Sequence, residues 1–319
     1  MRRPFSTGEP PTSTCGRGID ATPRPATVAM PGTCGELVQG TMEGVPFLVS
    51  CPVPLFSHVT ATVENGDPVG QPDRAVVLGP ADSPKALAAA RALLGALGVS
   101  VRVRLAIRSS IPRGKGLASS TADVGATLFA LARALGVGLT PADAARLAVH
   151  VEPTDGSLFP GVVLFDHRGG RLYQPLGVPP PMLALALDFG GEVDTVAFNR
   201  VDRSAILREV EPLAREALGL VAAGIAEGDP RLVGQGATIS ARANQRVLAK
   251  PQLDAVIALG RETSAVGVNV GHSGTVIGLL FDARRTDGAA ELAYVRRRLP
   301  QLAWSACLPV IGGGPIYDP

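Results

Sequence analysis

The sequence has few aromatic residues and almost no net charge. Only 4% of its 319 residues are aromatic, and 30 Lys and Arg balance 28 Asp and Glu to a formal charge of +2. Surfaces that bind nucleic acid usually carry a clear excess of basic residues. The composition therefore gives no support to nucleic acid as a partner.

Long apolar runs and paired cysteines are also missing. The apolar stretch 217–226 is far shorter than the ~18 residues of a membrane-spanning helix. No apolar segment of the signal-peptide type follows the N-terminus. The four cysteines, Cys15, Cys34, Cys51 and Cys307, form no C-x-x-C motif. We therefore expect a cytoplasmic protein with no membrane span, disulfide framework or zinc site.

The sequence does contain enough apolar residues to form a hydrophobic core. Apolar residues make up 46% of the chain and charged residues 18%, a balance typical of globular proteins and not of disordered ones. The 38 Gly and 28 Pro follow no period, which excludes collagen and coiled coils. Residues 1–24 differ from the rest because they are rich in Pro, Thr, Ser, Gly and Arg without periodicity. We expect them to form a disordered extension.

The periodicity of apolar residues predicts an α+β fold. Ser83-Pro84 and Thr140-Pro141 each join a capping residue to a proline, which is typical of a helix start. Strands are predicted at 59–63, 101–108, 162–165, 182–189, 275–281 and 303–310, and helices at 84–97, 117–135, 141–151, 203–226, 230–247, 252–265 and 289–299. Helices that follow strands in groups, without regular alternation, favour α+β over a doubly wound sheet. The Gly- and Pro-rich segment 169–181 predicts a boundary between domains 25–170 and 171–319.

The segment 111–123 is the most informative part of the chain. A predicted strand enters it and a helix leaves it, so free backbone N–H groups and the positive end of the helix dipole meet there. Glycines allow close approach of an anion, and adjacent hydroxyls can bind phosphate or a metal. A Walker A loop does not fit, because Lys115 precedes Gly116, and a Rossmann fingerprint does not fit, because Ser119 replaces its third glycine. An ordinary glycine turn with serine caps is the alternative.

Three motifs resemble those of the GHMP kinases in their residues and in their order along the chain. Pro112 to Ala122 reads P-x-x-x-G-L-x-S-S-x-A, like the phosphate loop of that family. The segments 30–40 and 271–275 are similar to its first and third motifs. Further segments resemble the L-threonine kinase branch of the family, namely 35–40, 49–53, 115–123, 152–155, 164–167 and 271–276. The resemblance implies an N-terminal domain like ribosomal protein S5 and a ferredoxin-like C-terminal domain.

The resemblance also implies an activity and its cofactors. The family members use ATP and Mg²⁺ to phosphorylate small alcohols, and the L-threonine branch makes L-threonine O-3-phosphate for the aminopropanol arm of cobalamin biosynthesis. Ser120 matches the metal-binding serine of the family, and Glu152 is the expected second metal ligand. The expected ATP-binding residues are Pro112, Arg113, Gly114, Lys115, Gly116, Leu117, Ala118, Ser119, Ser120 and Thr121.

Asp155 is the expected catalytic residue. It stands in a turn after the helix that follows the phosphate loop, where the family places an aspartate. Mevalonate-type members pair that aspartate with a lysine, whose place is taken here by Thr33. Two roles therefore stay open for Asp155, a general base or an anchor that orients the acceptor hydroxyl.

Substrate binding is assigned to Glu36, His272 and Ser273. Glu36 is expected to pair with the ammonium group of an amino acid, and Arg113, Arg242 and Arg246 are the alternatives for its carboxylate. A structural hydrogen bond is the alternative for His272. Asp123 is expected to complement the helix dipole, and Asp166-His167 to be loop structure.

Two other functions stay open at this point. One is a homoserine kinase or another small-alcohol kinase of the same family, and the other is a catalytically silent protein that senses a metabolite. The substrate is in every case a small molecule. The oligomeric state is left open, with a homodimer as one alternative.

Overall fold

Two long strands near the start of the chain form the centre of the fold. β1 (Ala26–Met42) and β2 (Val45–Glu64) pair antiparallel through a two-residue turn, Glu43-Gly44, in which both residues have a positive φ. The computed structural model describes residues 25–64, 75–191, 193, 198 and 201–318. The extension predicted over 1–24 lies outside them.

One large sheet connects both halves of the described chain. Its main path runs β10-β7-β9-β8-β1-β2-β4-β3, while β5 pairs with β2 and β6, and β11 pairs with β1. All pairs are antiparallel except β3 with β4. The remaining strands are β3 (Val76–Leu78), β4 (Arg102–Ser109), β5 (Val162–Phe165), β6 (Tyr173–Gly177), β7 (Met182–Asp188), β8 (Ala265–Val270), β9 (Ile277–Asp282), β10 (Trp304–Pro309) and β11 (Ile316–Tyr317).

The observed helices begin and end close to their predicted limits. They are α1 (Pro84–Leu97), α2 (Ser119–Ala134), α3 (Pro141–Val151), α4 (Ser204–Glu227), α5 (Pro230–Asn244), α6 (Leu253–Glu262) and α7 (Gly288–Arg298). The side chain of Thr140 caps α3, as predicted, whereas Ser83 makes no side-chain cap on α1. Over the described ranges, no helix combines the length and the apolar composition that a bilayer span requires.

The predicted strands are present, but five strands were missed. The prediction extended the helix at 252 as far as 265, whereas α6 ends at Glu262 and β8 begins at Ala265. Val266, Val268 and Val270 alternate with Gly267 and Asn269, a strand pattern that the prediction left unassigned. β1, β3, β6 and the short β11 were also not predicted. β6 lies inside the segment 169–181, which was predicted to be a domain boundary, and it pairs with β5. The limits of the two domains stay a prediction.

The first motif, 30–40, lies within β1, where the pairing with β2 is irregular. Register shifts fall between Pro31 and Gly32, between Thr33 and Glu36, and between Glu36 and Val38. Bulges of this kind change which side chains face the core. Every residue from 28 to 39 is buried, so β1 is covered on both faces and both Glu36 and Gln39 lie inside the protein.

Helix α2, which directly follows the predicted phosphate loop, is deeply buried. Every residue from 121 to 132 is buried, and the helix packs on β1 and β2. A helix that is apolar on all sides must be covered by its neighbours. Its N-terminus is therefore held rigidly by the core.

Replacing a fully buried leucine of α2 tests this role. Leu128→Ala should lower the free energy of unfolding by about 3–5 kcal/mol, because it removes packed methyl groups and leaves a cavity. Urea denaturation followed by circular dichroism measures the change. The control is Leu213→Ala, since Leu213 is 43% exposed on α4. Equal losses in the two variants would contradict the assignment of α2 to the core.

Candidate active site

A cavity of about 380 Å³ lies at the N-terminus of α2. The loop after α3, the loop after β8 and the start of α1 form its other walls. Most of the residues that the sequence singled out line it, namely Glu36, Arg113, Gly114, Gly116, Leu117, Ala118, Ser119, Ser120, Thr121, Glu152, Asp155, His272 and Ser273. The cavity therefore brings together the three predicted motifs and the predicted catalytic turn.

The phosphate loop enters α2 through left-handed backbone. Gly114 and Gly116 have φ values of 74° and 80°, and Ala118 has a φ of 57°, which is uncommon for a residue with a Cβ. No side chain caps the helix. The first N–H groups of α2 therefore keep no partner within the helix and carry the positive end of its dipole, an arrangement that suits an anion.

The third motif packs directly on this loop, backbone to backbone. A Cβ added at Gly274 would lie 2.1 Å from the backbone nitrogen of Gly116, so only glycine fits there. The N–H of Val276 donates to the carbonyl of Lys115 at 3.0 Å. The loop after β8 thus holds the phosphate loop in place.

Lys115 connects the phosphate loop to β7. Its Nζ lies 3.2 Å from Oδ2 of Asp188 and donates to the carbonyl of Gly191 at 2.7 Å. Asp188 is buried, and it also accepts a hydrogen bond from the hydroxyl of Thr275 at 2.6 Å. In this structure the ammonium group of Lys115 thus stabilises the junction between the two halves of the chain, and Lys115 is not part of the cavity wall.

Ser120 and Glu152, the predicted metal ligands, are in direct contact. The hydroxyl of Ser120 donates to Oε1 of Glu152, and Lys85 forms an ion pair with Oε2 of the same carboxylate. Within the described ranges, no cluster of three or more His, Cys, Asp and Glu side chains could hold a metal. A hard cation such as Mg²⁺ often takes only one or two protein oxygens and completes its shell with water and phosphate. These two side chains fit that kind of site.

Asp155 is held by hydroxyl groups beside the first turn of α2. Thr121 donates to its Oδ2 at 3.0 Å, and Ser50 donates to its Oδ1 at 3.5 Å. The backbone N–H of Asp155 in turn donates to the hydroxyl of Thr121 at 3.2 Å. The carboxylate is therefore tied to the same helix that carries the phosphate loop.

Glu36 is buried next to Asp155, and each carboxyl affects the other. Burial raises the pKa of Glu36 well above its usual value, and the charge of Asp155 raises it further. Burial also raises the pKa of Asp155, but hydrogen bonds from Glu36, Thr121 and Ser50 oppose that change. Since Asp155 has more donors, we infer that it carries the charge of the pair while Glu36 holds the proton. The Oε2 atom of Glu36 has no hydrogen-bond partner.

Two histidines line the cavity beside this pair. Nδ1 of His272 lies 2.8 Å from Oε1 of Gln39, while its Nε2 has no partner. His167 is buried and neither of its ring nitrogens has a partner. Its neighbour Asp166 accepts hydrogen bonds from two backbone N–H groups of the same turn, which agrees with a structural role. His167 itself belongs to the cavity wall, which its position in a loop gave no signal to predict.

The three candidate arginines differ in their positions. Arg242 and Arg246 pair with surface acids, Asp254 and Glu209, so they form the exposed basic stripe that their spacing also allowed. Arg113 lines the cavity and binds Asp82 at 3.1 Å.

Asp123 was expected to complement the helix dipole and instead takes part in the cavity wall. It is buried and accepts a hydrogen bond from Ser57 at 2.5 Å, and Arg113 lies 3.9 Å away. Lys85 also lines the cavity. Sequence reasoning missed it, because a lysine in the first turn of a helix is ordinarily exposed.

Family models and a solved structure define the class of this fold. The N-terminal domain model of the GHMP kinases matches residues 84–159, and the C-terminal model of the same kinases matches 221–301. The crystal structure of homoserine kinase from Cytophaga hutchinsonii aligns with a TM-score of 0.67 at 18% identity, covering 92% of this chain and 97% of that one. The architecture is the two-domain α+β fold of the GHMP kinases, as the motifs predicted.

Curated relatives extend the match over most of the chain. It is 36% identical over 266 residues to the L-threonine kinase of Salmonella typhimurium (strain LT2), covering 82% of this chain and 85% of the relative. It is 35% identical over 280 residues to the L-threonine kinase of Citrobacter freundii, covering 86% and 92%. The chain belongs to the GHMP kinases, a family of phosphotransferases, which confirms the resemblance.

The buried proton of Glu36 predicts a pH-dependent effect on stability. Because the folded state holds this proton above the unfolded pKa of ~4.3, stability falls as the pH rises from there towards the folded pKa, by up to ~1.4 kcal/mol per pH unit. Glu36→Gln removes the titration. Its free energy of unfolding should therefore rise relative to the wild type with increasing pH, as measured by urea denaturation between pH 4 and 8. The exposed Glu216→Gln should show no such trend, and a difference for Glu36→Gln that is independent of pH would contradict the assignment.

Proposed function

We propose that this chain is an ATP-dependent L-threonine kinase that phosphorylates the side-chain hydroxyl and releases L-threonine O-3-phosphate. The observation that carries the proposal is the hydrogen bond between Thr121 and Asp155, because it supports a site in which the carboxylate of Asp155 and the phosphate loop act on one cavity. The names of the relatives in Salmonella typhimurium and Citrobacter freundii support threonine as the substrate.

The phosphate loop is suited to the triphosphate of ATP. Its glycines leave room for phosphate oxygens, and the free N–H groups of 119–121 offer donors for them. Phosphoryl transfer depends mainly on positioning and on charge stabilisation, and fixed backbone donors provide both. The buried position of α2 keeps these donors rigid.

Ser120 and Glu152 would hold Mg²⁺. The contact between them shows that a hydroxyl and a carboxylate oxygen meet at the start of α2, and such hard oxygen ligands match magnesium. When bound, the ion neutralises charge on the phosphates of the nucleotide. Lys85, which pairs with Glu152, would then lie beside the same phosphates.

Asp155 orients the acceptor hydroxyl and accepts part of its proton. Thr33, which takes the place of the family lysine, is buried and its hydroxyl has no partner. The donors to Asp155 among the described residues are Glu36 and the hydroxyls of Thr121 and Ser50, and none of them is a lysine. A loose phosphoryl-transfer transition state requires little from a base, which makes orientation the larger contribution.

Glu36 receives the ammonium group of the amino acid. Its Oε2 is buried without a partner, and an unpaired buried carboxyl is stabilised when a cation enters. The cation would lower the pKa of Glu36 and so release its proton. The product would be made in the cytoplasm and would enter the aminopropanol arm of cobalamin biosynthesis.

Comparing several alcohols as phosphoryl acceptors tests the proposed function directly. Phosphorus NMR of the full chain with ATP and Mg²⁺ should show conversion of L-threonine well above that of L-serine, L-homoserine and mevalonate. Threoninol and 3-hydroxybutanoate should be converted far more slowly than L-threonine, because each leaves a buried group of the site without its partner. Preferred use of homoserine or mevalonate would contradict the proposal in favour of another family member. If none of the alcohols is converted, the alternative of a catalytically silent protein that senses a metabolite is favoured.

Replacing Asp155 tests its assigned role. Asp155→Asn should lower kcat roughly 10²–10⁴-fold if the carboxylate acts as the base, and less if it only orients the hydroxyl, with little change in KM for ATP. Coupled-enzyme kinetics at saturating threonine measure this. Asp254→Asn is the control, because Asp254 is exposed on α6. Wild-type turnover in both variants would remove Asp155 from the mechanism.

A further inference from the structure

Two residues that line the cavity each bury a hydrogen-bond acceptor that has no partner among the described residues. The two acceptors are Oε2 of Glu36 and Nε2 of His272. A buried polar atom without a partner costs free energy, so such atoms in a folded protein call for an explanation. A ligand that supplies donors to both atoms would explain them together.

The pairing of β1 with β8 brings Glu36 close to the loop that carries His272. Glu36 of β1 stands opposite Val270, the last residue of β8, and His272 follows two positions later. Gly35, which has a φ of 61°, packs against the backbone of Val270 and Gly271 so tightly that a Cβ would lie 2.5 Å from the Val270 carbonyl carbon. The wall that carries both acceptors is therefore rigid.

Gln39 determines which nitrogen of His272 carries the proton. The amide nitrogen Nε2 of Gln39 donates to the carbonyl of Val270 at 3.3 Å, and a carbonyl can only accept. The amide oxygen of Gln39 must then face Nδ1 of His272, as it does at 2.8 Å. Because that oxygen can only accept, Nδ1 holds the proton and Nε2 presents a lone pair.

The surroundings of His272 keep its ring uncharged and fixed. Burial lowers its pKa to about 3, and the charges of Arg168, Lys250 and Arg203 lower it further. The ring packs edge to face against His167, with centroids 5.0 Å apart, and against Phe198, with centroids 5.3 Å apart. Neither neighbour donates a hydrogen bond to Nε2.

We propose that His272 is a specificity residue whose unprotonated Nε2 accepts a hydrogen bond from the ammonium group of the substrate, together with Glu36. Gln39 is the positioning residue that holds His272 in the required tautomer. The inference rests on the proposed function, since it names the part of an amino-acid substrate that this wall binds. An ammonium group has three N–H donors, so it has enough donors to give one hydrogen bond to Glu36 and one to His272.

Nitrogen NMR of the full chain labelled with ¹⁵N-histidine tests the tautomer without any turnover. The chain has four histidines, and the signals of His272 are those that vanish in His272→Gln. We expect a protonated Nδ1 and an unprotonated Nε2 in the free protein, and a mixture in Gln39→Leu. L-threonine should shift the Nε2 signal, whereas 3-hydroxybutanoate, which has no amine, should not. A protonated Nε2 in the free protein would overturn the inference.

Kinetics with two analogues test what the lone pair recognises. In His272→Ala, the preference in kcat/KM for L-threonine over 3-hydroxybutanoate should fall roughly ten- to a hundredfold, the value of one hydrogen bond to a charged group. The preference for L-threonine over threoninol, which keeps the amine, should not change. Gln39→Leu should give a smaller fall, seen in KM for threonine more than in kcat. His58→Ala, at an exposed histidine of β2, is the control and should keep both preferences.

The outcomes separate this inference from the proposed function. If the wild type phosphorylates L-threonine but His272→Ala keeps the full preference over 3-hydroxybutanoate, only the role of His272 is overturned. A fall in the preference over threoninol would assign His272 to the carboxylate and would also overturn it. If the wild type does not phosphorylate L-threonine at all, the proposed function fails and this inference fails with it.

Discussion

The backbone contact between Gly116 and Gly274 is the constraint on which the site depends. No Cβ fits between these two residues, and the bond from Val276 to the Lys115 carbonyl closes the same junction. The phosphate loop comes from the N-terminal half of the chain and the third motif from the C-terminal half. Their contact explains why glycines stand at both positions and why the cavity contains residues from distant parts of the sequence.

The site keeps polar groups buried without partners, and this arrangement costs stability. Glu36, Thr33, His167 and His272 each bury at least one polar atom that has no hydrogen-bond partner. Because a buried polar atom without a partner loses its hydrogen bonds to water, each of these atoms opposes folding. A substrate that carries both charges and a hydroxyl offers partners for such atoms, so the arrangement favours binding over stability.

The presence of Thr33, where mevalonate-type members of the family carry a lysine, changes how the carboxylate of Asp155 is supported. Without a cation beside it, Asp155 relies on hydroxyl donors from α2 and β2 and on a proton held by its neighbour Glu36. Hydroxyl donors leave more negative charge on the carboxylate than an ion pair does. This is consistent with an aspartate that attracts the proton of an acceptor hydroxyl directly.

The sequence by itself determined the fold class, the family, the helix boundaries and the position of Asp155, because local signals encode them. Proline and capping residues mark the start of α3, and glycines with a positive φ are required where the phosphate loop turns. These features depend on neighbours in the chain, so they can be read from it. β8 escaped prediction although Val266, Val268 and Val270 alternate as in a strand, because this alternation is short and directly follows a helix.

Only the tertiary structure decided which side chains meet. The contact of Gln39 with His272 joins residues more than 200 positions apart, and that of Lys85 with Glu152 joins residues more than 60 apart. No local pattern records such pairs, since they arise from the β1–β8 register and from the packing of α1 beside α2. The ion pair of Lys115 with Asp188 and the burial of His167 were decided in the same way, by long-range packing that brings distant side chains into one low-dielectric site.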